Sequence, residues 1–119
     1  MKIQRSTKES EAFLRSLVPD RPEVSVRPMF GNLSAFVNGN MYAGVFGDDL
    51  FVRLSEEDAA ALLKVKGAGP FEPMKGRAMK GYIVVPREWR NDPARVKPWV
   101  SKALARTGRM PAKAKKRQP

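Results

Sequence analysis

Residues 33–54 read LSAFVNGNMYAGVFGDDLFVRL, and this stretch decides the fold. Two apolar runs, Leu33–Val37 and Met41–Phe46, flank Asn38-Gly39-Asn40. An Asn-Gly pair between such runs is the strongest short-range sign of a β-hairpin, because the favoured tight turn needs positive φ at both central residues. Gly47-Asp48-Asp49 then makes a second tight turn into Leu50–Leu54. The stretch predicts an antiparallel meander.

Upstream, Val24, Val26 and Met29 continue the strand character, with Pro28 pushing this strand to an edge or a bulge. Gly31-Asn32 offers the turn that joins it to the meander. Further back, Ser6-Thr7-Lys8-Glu9 reads as a capping box, and Phe13, Leu14 and Leu17 recur at helical spacing before Pro19. A helix over about residues 6–18 follows. Downstream, Ser55 caps a second helix over 56–65, with Glu56, Glu57 and Asp58 in its first turn and Gly67 closing it. Residues 67–77 read as loop and Met79–Val85 as strand. Asp92-Pro93 opens a third helix carrying Val96, Trp99, Val100, Ala103 and Leu104 on one face. Pro98 inside that pattern predicts a kink or a helix restarted at Pro98.

The order α-β-β-β-β-α-β-α predicts an α+β fold of two layers: an antiparallel sheet of about five strands with helices packed on it. Its expected core includes Phe13, Leu17, Phe36, Phe51, Leu62, Ile83, Trp99 and Leu104.

The length of 119 residues with 42% apolar content suits one domain. No apolar run approaches the ~20 residues of a membrane span, and the N-terminus lacks the apolar core of a secretory signal. A soluble, cytoplasmic protein is expected. There is no cysteine and no histidine. That excludes disulfides, thiolate or imidazole metal sites, Cys nucleophiles and Ser-His-Asp triads. No catalytic, cofactor-binding or metal-binding residue is assigned, no cofactor is expected, and the chain reads as a non-enzyme. The formal net charge is +11, and the last six cations, from Arg106 onward, have no carboxylate among them. A folded domain over 1–107 followed by a disordered basic tail over 108–119 is the expected organisation.

Several groups have both a structural and a functional reading. Gly31, Gly39, Gly44 and Gly47 suit turns and strands, since none sits between a strand and a helix as a phosphate loop would. Asp48 and Asp49 suit a hairpin turn; with Glu72 they are also candidates for a magnesium site. Lys75, Arg77 and Lys80, around Tyr82, read as a strand's solvated face or as contacts for a nucleic-acid backbone or acidic partner. Arg87, Trp89 and Arg90 divide the same way, with Trp89 closing the core or stacking a base. The tail cations Lys113, Lys115, Lys116 and Arg117 are further candidate contacts. Met29, Met41, Met74 and Met79 suit core filling or an adaptable peptide groove.

In order along the chain, Arg27-Pro28-Met29-Phe30-Gly31, Asn38-Gly39-Asn40-Met41-Tyr42-Ala43-Gly44 and Asp49-Leu50-Phe51-Val52-Arg53-Leu54 resemble successive blocks of the TfoX N-terminal domain family of competence regulators. Gly69-Pro70-Phe71-Glu72-Pro73-Met74, Tyr82-Ile83-Val84-Val85-Pro86 and a final helix containing Trp99 extend the likeness over roughly residues 8–106. The resemblance implies a secretion-chaperone-like sheet with helices and no established catalytic residues. Many members carry a second glycine where this chain has Asn32, and the longer regulators carry a C-terminal helical domain where this chain has its short basic tail.

The expected function is a regulatory or adaptor domain that binds a macromolecule, first a protein, in transcriptional or competence regulation. The alternative is weak, sequence-nonspecific nucleic-acid binding through the tail and the Lys75–Arg90 cations. No membrane partner is expected; a homodimer paired through a helix or the edge near Pro28 is the expected assembly.

Overall fold

Asn38 and Gly39 turn the chain with φ of +52° and +81°, the left-handed pair that a two-residue hairpin requires. In the computed structural model, which describes residues 5–29, 31–73, 76–90 and 92–111, they join β2 (Asn32–Val37) to β3 (Asn40–Phe46). β1 (Val24–Met29) precedes this hairpin and β4 (Asp49–Arg53) follows it. β5 (Gly69–Pro70) and β6 (Tyr82–Val84) complete one antiparallel sheet in the order β1-β2-β3-β4-β6-β5. Three helices, α1 (Lys8–Leu17), α2 (Glu56–Leu63) and α3 (Pro93–Gly108), pack on it.

The α+β reading therefore stands, with six strands rather than about five. The extra one, β5, lies in the segment read as loop. Its two residues become a strand only because Gly69 and Pro70 pair with Val84 and Ile83. The strand expected over Met79–Val85 shrinks to Tyr82–Val84, as Gly81 turns with φ +85°. The first helix is capped one residue later than expected. Thr7 accepts from the Ser10 amide and Ser10 accepts from the Thr7 amide, both at 3.0 Å. α3 runs unbroken through Pro98. The carbonyl that loses its donor belongs to Ala94, and both residues are exposed, so it is open to solvent rather than orphaned in the core. α3 also takes in Thr107 and Gly108, while residues 112–119 lie outside the described residues.

One face of the sheet meets the helices. Leu33, Ala35 and Val37 from β2, Ala43 and Val45 from β3, and Leu50 and Val52 from β4 join Leu14, Leu62 and Val96 in the main core. Of the expected core residues, Leu17, Phe36, Phe51, Leu62 and Ile83 are buried. Phe13, Trp99 and Leu104 are partly buried against the core. A second cluster, Phe51, Phe71 and Tyr82, lies apart, with Met41, Phe46, Met79 and Val84 against it. Strand alternation places it on the other face, under the loop that leads from β5 to β6. The rings of Phe51 and Phe71 stack with centroids 4.1 Å apart. Met41 and Met79 are thus packing residues here; Met74 lies outside the described residues.

Both edge strands carry a proline. In β1 the residues facing away from β2 are Val24, Val26 and Pro28, because Glu23 and Asn38 are a bonded pair and the bonded positions alternate from there. The Val24 amide is spent on the Arg21 carbonyl at 3.0 Å and Pro28 has none. Val26 is left as the outward donor. The opposite edge is only Gly69-Pro70. Among the described residues, no helix is long and apolar enough to cross a membrane.

Tyr42 is fully buried, and its hydroxyl meets no hydrogen-bond partner among the described residues. Burial pushes its phenol up to about 12, although the Arg21 charge pulls the other way. The folded state thus keeps the proton to a higher pH than the unfolded chain, whose tyrosines titrate near ~10. The corresponding stability is intact below about pH 10 and is lost as pH rises towards about 12, on the order of 2–3 kcal/mol in all. Tyr42→Phe is expected to match or exceed the parent's urea midpoint at neutral pH, since it removes an unpaired hydroxyl, and to flatten the alkaline loss. A lower neutral-pH midpoint would show that the hydroxyl has a partner.

Candidate functional site: a cleft at the start of the first helix

The turn Gly47-Asp48 is held from two sides. The Asn32 side-chain oxygen accepts the Gly47 amide at 3.0 Å, and the Ser10 hydroxyl donates to the Gly47 carbonyl at 3.0 Å. Thr7 Oγ1 donates to Asp48 Oδ1 at 3.0 Å. The cap of α1 is therefore fastened to the β3–β4 turn, with Asn32 and Ser10 buried. Asn32 occupies the position where a second glycine is common in the resembling family. Its side chain here serves a structural end that its place in the sequence did not suggest.

Beside this junction opens a cleft of ≈ 340 Å³. Its floor is apolar: Phe13 from α1, Val45 and Leu50 from the hairpin, and Val85 and Pro86 from the end of β6. Its rim is charged. Glu9 comes from α1, Asp48 and Asp49 from the β3–β4 turn and the start of β4, and Arg87 and Arg90 from the 3-10 turn Arg87–Trp89 and the residue after it. Arg87 Nε donates to Asp49 Oδ1 at 2.9 Å and its Nη2 to Oδ2 at 3.4 Å. The hydrogen bonds and charge of Asp49 raise the Arg87 guanidinium further above its usual range. The Arg87 side chain is 72% exposed, so the pair orients the rim more than it stabilises the fold. Arg90 is exposed and forms no ion pair among the described residues.

The candidate contact residues do not form one surface. Arg87 and Arg90 share the cleft. Arg77 and Lys80 are exposed on the β5–β6 loop, which covers the second aromatic cluster on the other face. Trp89 is 9% exposed and belongs to the main core, so its ring is committed to packing. Lys75 and the tail residues Lys113, Lys115, Lys116 and Arg117 lie outside the described residues. Asp48 and Asp49 each already serve an internal partner, Thr7 and Arg87. Among the described residues no three carboxylates gather as a cation site would need, so the suggested grouping with Glu72 does not form.

With three carboxylates against two guanidinium groups, the rim does not suit a polyanion. An apolar floor inside a rim of mixed charge suits an anchoring side chain of a peptide, whose neighbouring charges the rim can read.

Among known protein families, the model of the TfoX N-terminal domain matches residues 16–107. No curated protein matches the chain.

Proposed function

The chain belongs to the TfoX N-terminal domain family, and from that premise we propose that it is a non-enzymatic regulatory domain which acts in the cytoplasm by binding a protein partner. The family supports a regulatory, competence-related role. The observation that favours a protein partner is the cleft beside α1, with its apolar floor and mixed-charge rim. Leu63 is the large hydrophobic residue exposed among those described, so broad apolar contact is a weaker account than anchoring in this cleft. A homodimer of this chain would pair through helices, because the β1 edge keeps a single free amide.

Arg90→Glu tests the reading without touching the core. The gene is deleted from its host, transcript levels are compared with the parent's, and the deletion is complemented by the parent chain or by Arg90→Glu. The parent should restore the altered transcripts and Arg90→Glu should not, at equal protein level and unchanged melting temperature. Full restoration by Arg90→Glu would remove the cleft from the function. No change in transcripts on deletion would remove the regulatory role.

A further inference from the structure

From Pro93 to Pro119 the chain carries nine cations and no carboxylate. α3 and its C-cap residue sort the first of them. At 100° per residue, Arg95, Lys102, Arg106 and the C-cap Arg109 fall within about 60° of arc, away from the buried Val96, Val100, Ala103 and Thr107, while Lys97 lies outside that arc. The row extends about 21 Å at 1.5 Å per residue. Its first half is partly matched: Asp92 lies 3.5 Å from Arg95 and Asp58 lies 3.9 Å from Lys102. Its second half is not. Arg106 and Arg109 are exposed and form no ion pair among the described residues. They stand three residues apart, a spacing at which like charges repel. The helix C-terminus favours cations there, but it does not account for four more basic residues directly beyond.

We propose that the row of Arg95, Lys102 and Arg106 on α3, with Arg109 at its C-cap, is a binding surface for the phosphate backbone of nucleic acid. This surface is separate from the cleft and does not depend on it. A straight row of about 21 Å parallels roughly six phosphates of one strand at 3.4 Å of helix axis each. Beside the row lie the exposed Ser101 and Ala105 on one side and the half-buried Trp99 on the other, its ring packed against the core with Lys102 Nζ 5.9 Å from its centroid. With Trp99 committed to the core and to Lys102, what the row presents is chiefly charge, which is all that phosphates require. Binding is accordingly indifferent to base sequence.

The test is fluorescence anisotropy of a labelled 20-base-pair duplex with full-length chains from about 50 to 200 mM salt. The parent should bind at the low end, with affinity falling steeply as salt rises. Arg106→Gln/Arg109→Gln should flatten the slope of log affinity against log salt by about two units, at about 0.9 per phosphate contact. Arg106→Lys/Arg109→Lys should preserve it. Neutralising Lys113, Lys115, Lys116 and Arg117 to glutamine should flatten it by up to about four units. If the double glutamine variant fails to fold, Arg109→Gln alone, beyond the last helical residue, should still flatten it by about one unit. An unchanged slope in Arg106→Gln/Arg109→Gln, or in Arg109→Gln where the double variant does not fold, would overturn the role of α3. No binding by the parent at about 50 mM salt would overturn the surface altogether.

Discussion

Gly44→Ala is expected to destabilise the fold at the upper end of the roughly 1–3 kcal/mol typical of overpacking. Gly44 lies in β3 on the face away from the helices, paired with Phe51 and Ser34. A Cβ there would sit 2.6 Å from Phe51 Cζ and 2.8 Å from Ser34 Oγ. Neither neighbour has an easy retreat. Ser34 is buried, and Phe51 is 3% exposed with its ring stacked on Phe71. The backbone of Gly44 is not the difficulty, since its φ is negative; the missing side chain is. Urea denaturation reads the loss, and near-ultraviolet circular dichroism should show the aromatic cluster disturbed. Phe51→Leu shortens the obstructing ring, so the double variant should lose less than the two single losses added together. Parental stability in Gly44→Ala would mean that Phe51 and its loop move aside freely.

Leu62→Ala should cost about 2–5 kcal/mol, a large part of the roughly 5–15 kcal/mol that holds a typical domain. α2 has eight residues, and Ala59 and Leu62 are the two that it buries. Leu62 is fully enclosed, so its truncation removes most of the apolar contact between this helix and the sheet. A helix this short does not persist without packing. The expected result is a lower urea midpoint, with faster amide exchange over Glu56–Leu63 than over α1 and α3. A uniform rise in exchange would show that α2 and the sheet open only together.

The meander was legible from Asn38-Gly39 and the runs beside it, because turn chemistry and alternation are local properties. What escaped was set by distant partners. Thr7 and Ser10 form the capping box, although Ser6 and Glu9 fit the same pattern. The choice turns on Ser10 reaching Gly47 across the fold, which local propensity does not contain. β5 read as loop because glycine and proline disfavour strands; pairing with β6 decides otherwise. Arg77, Lys80, Arg87 and Arg90 are neighbours in sequence, yet the β6 strand carries the chain from the covering loop to the cleft, and the set divides. Trp89 was open to two readings until the 3-10 turn placed it in the core. The α3 row was available in the sequence as a spacing of seven, four and three residues. It is hidden when only the apolar face of that helix is traced and the basic tail is taken as a separate matter.

The prolines in the two edge strands set how this sheet behaves when many copies are crowded together. Fibrils grow when an exposed strand templates the next chain through a continuous ladder of donors and acceptors. A chain docking along β1 would find one available amide, that of Val26, in about 20 Å of strand. At the other end it would meet only two residues, one of them Pro70. Growth by strand addition therefore stops at either side before a ladder forms. The fold can reach high local density, as on a shared polyanion, without seeding its own cross-β assembly.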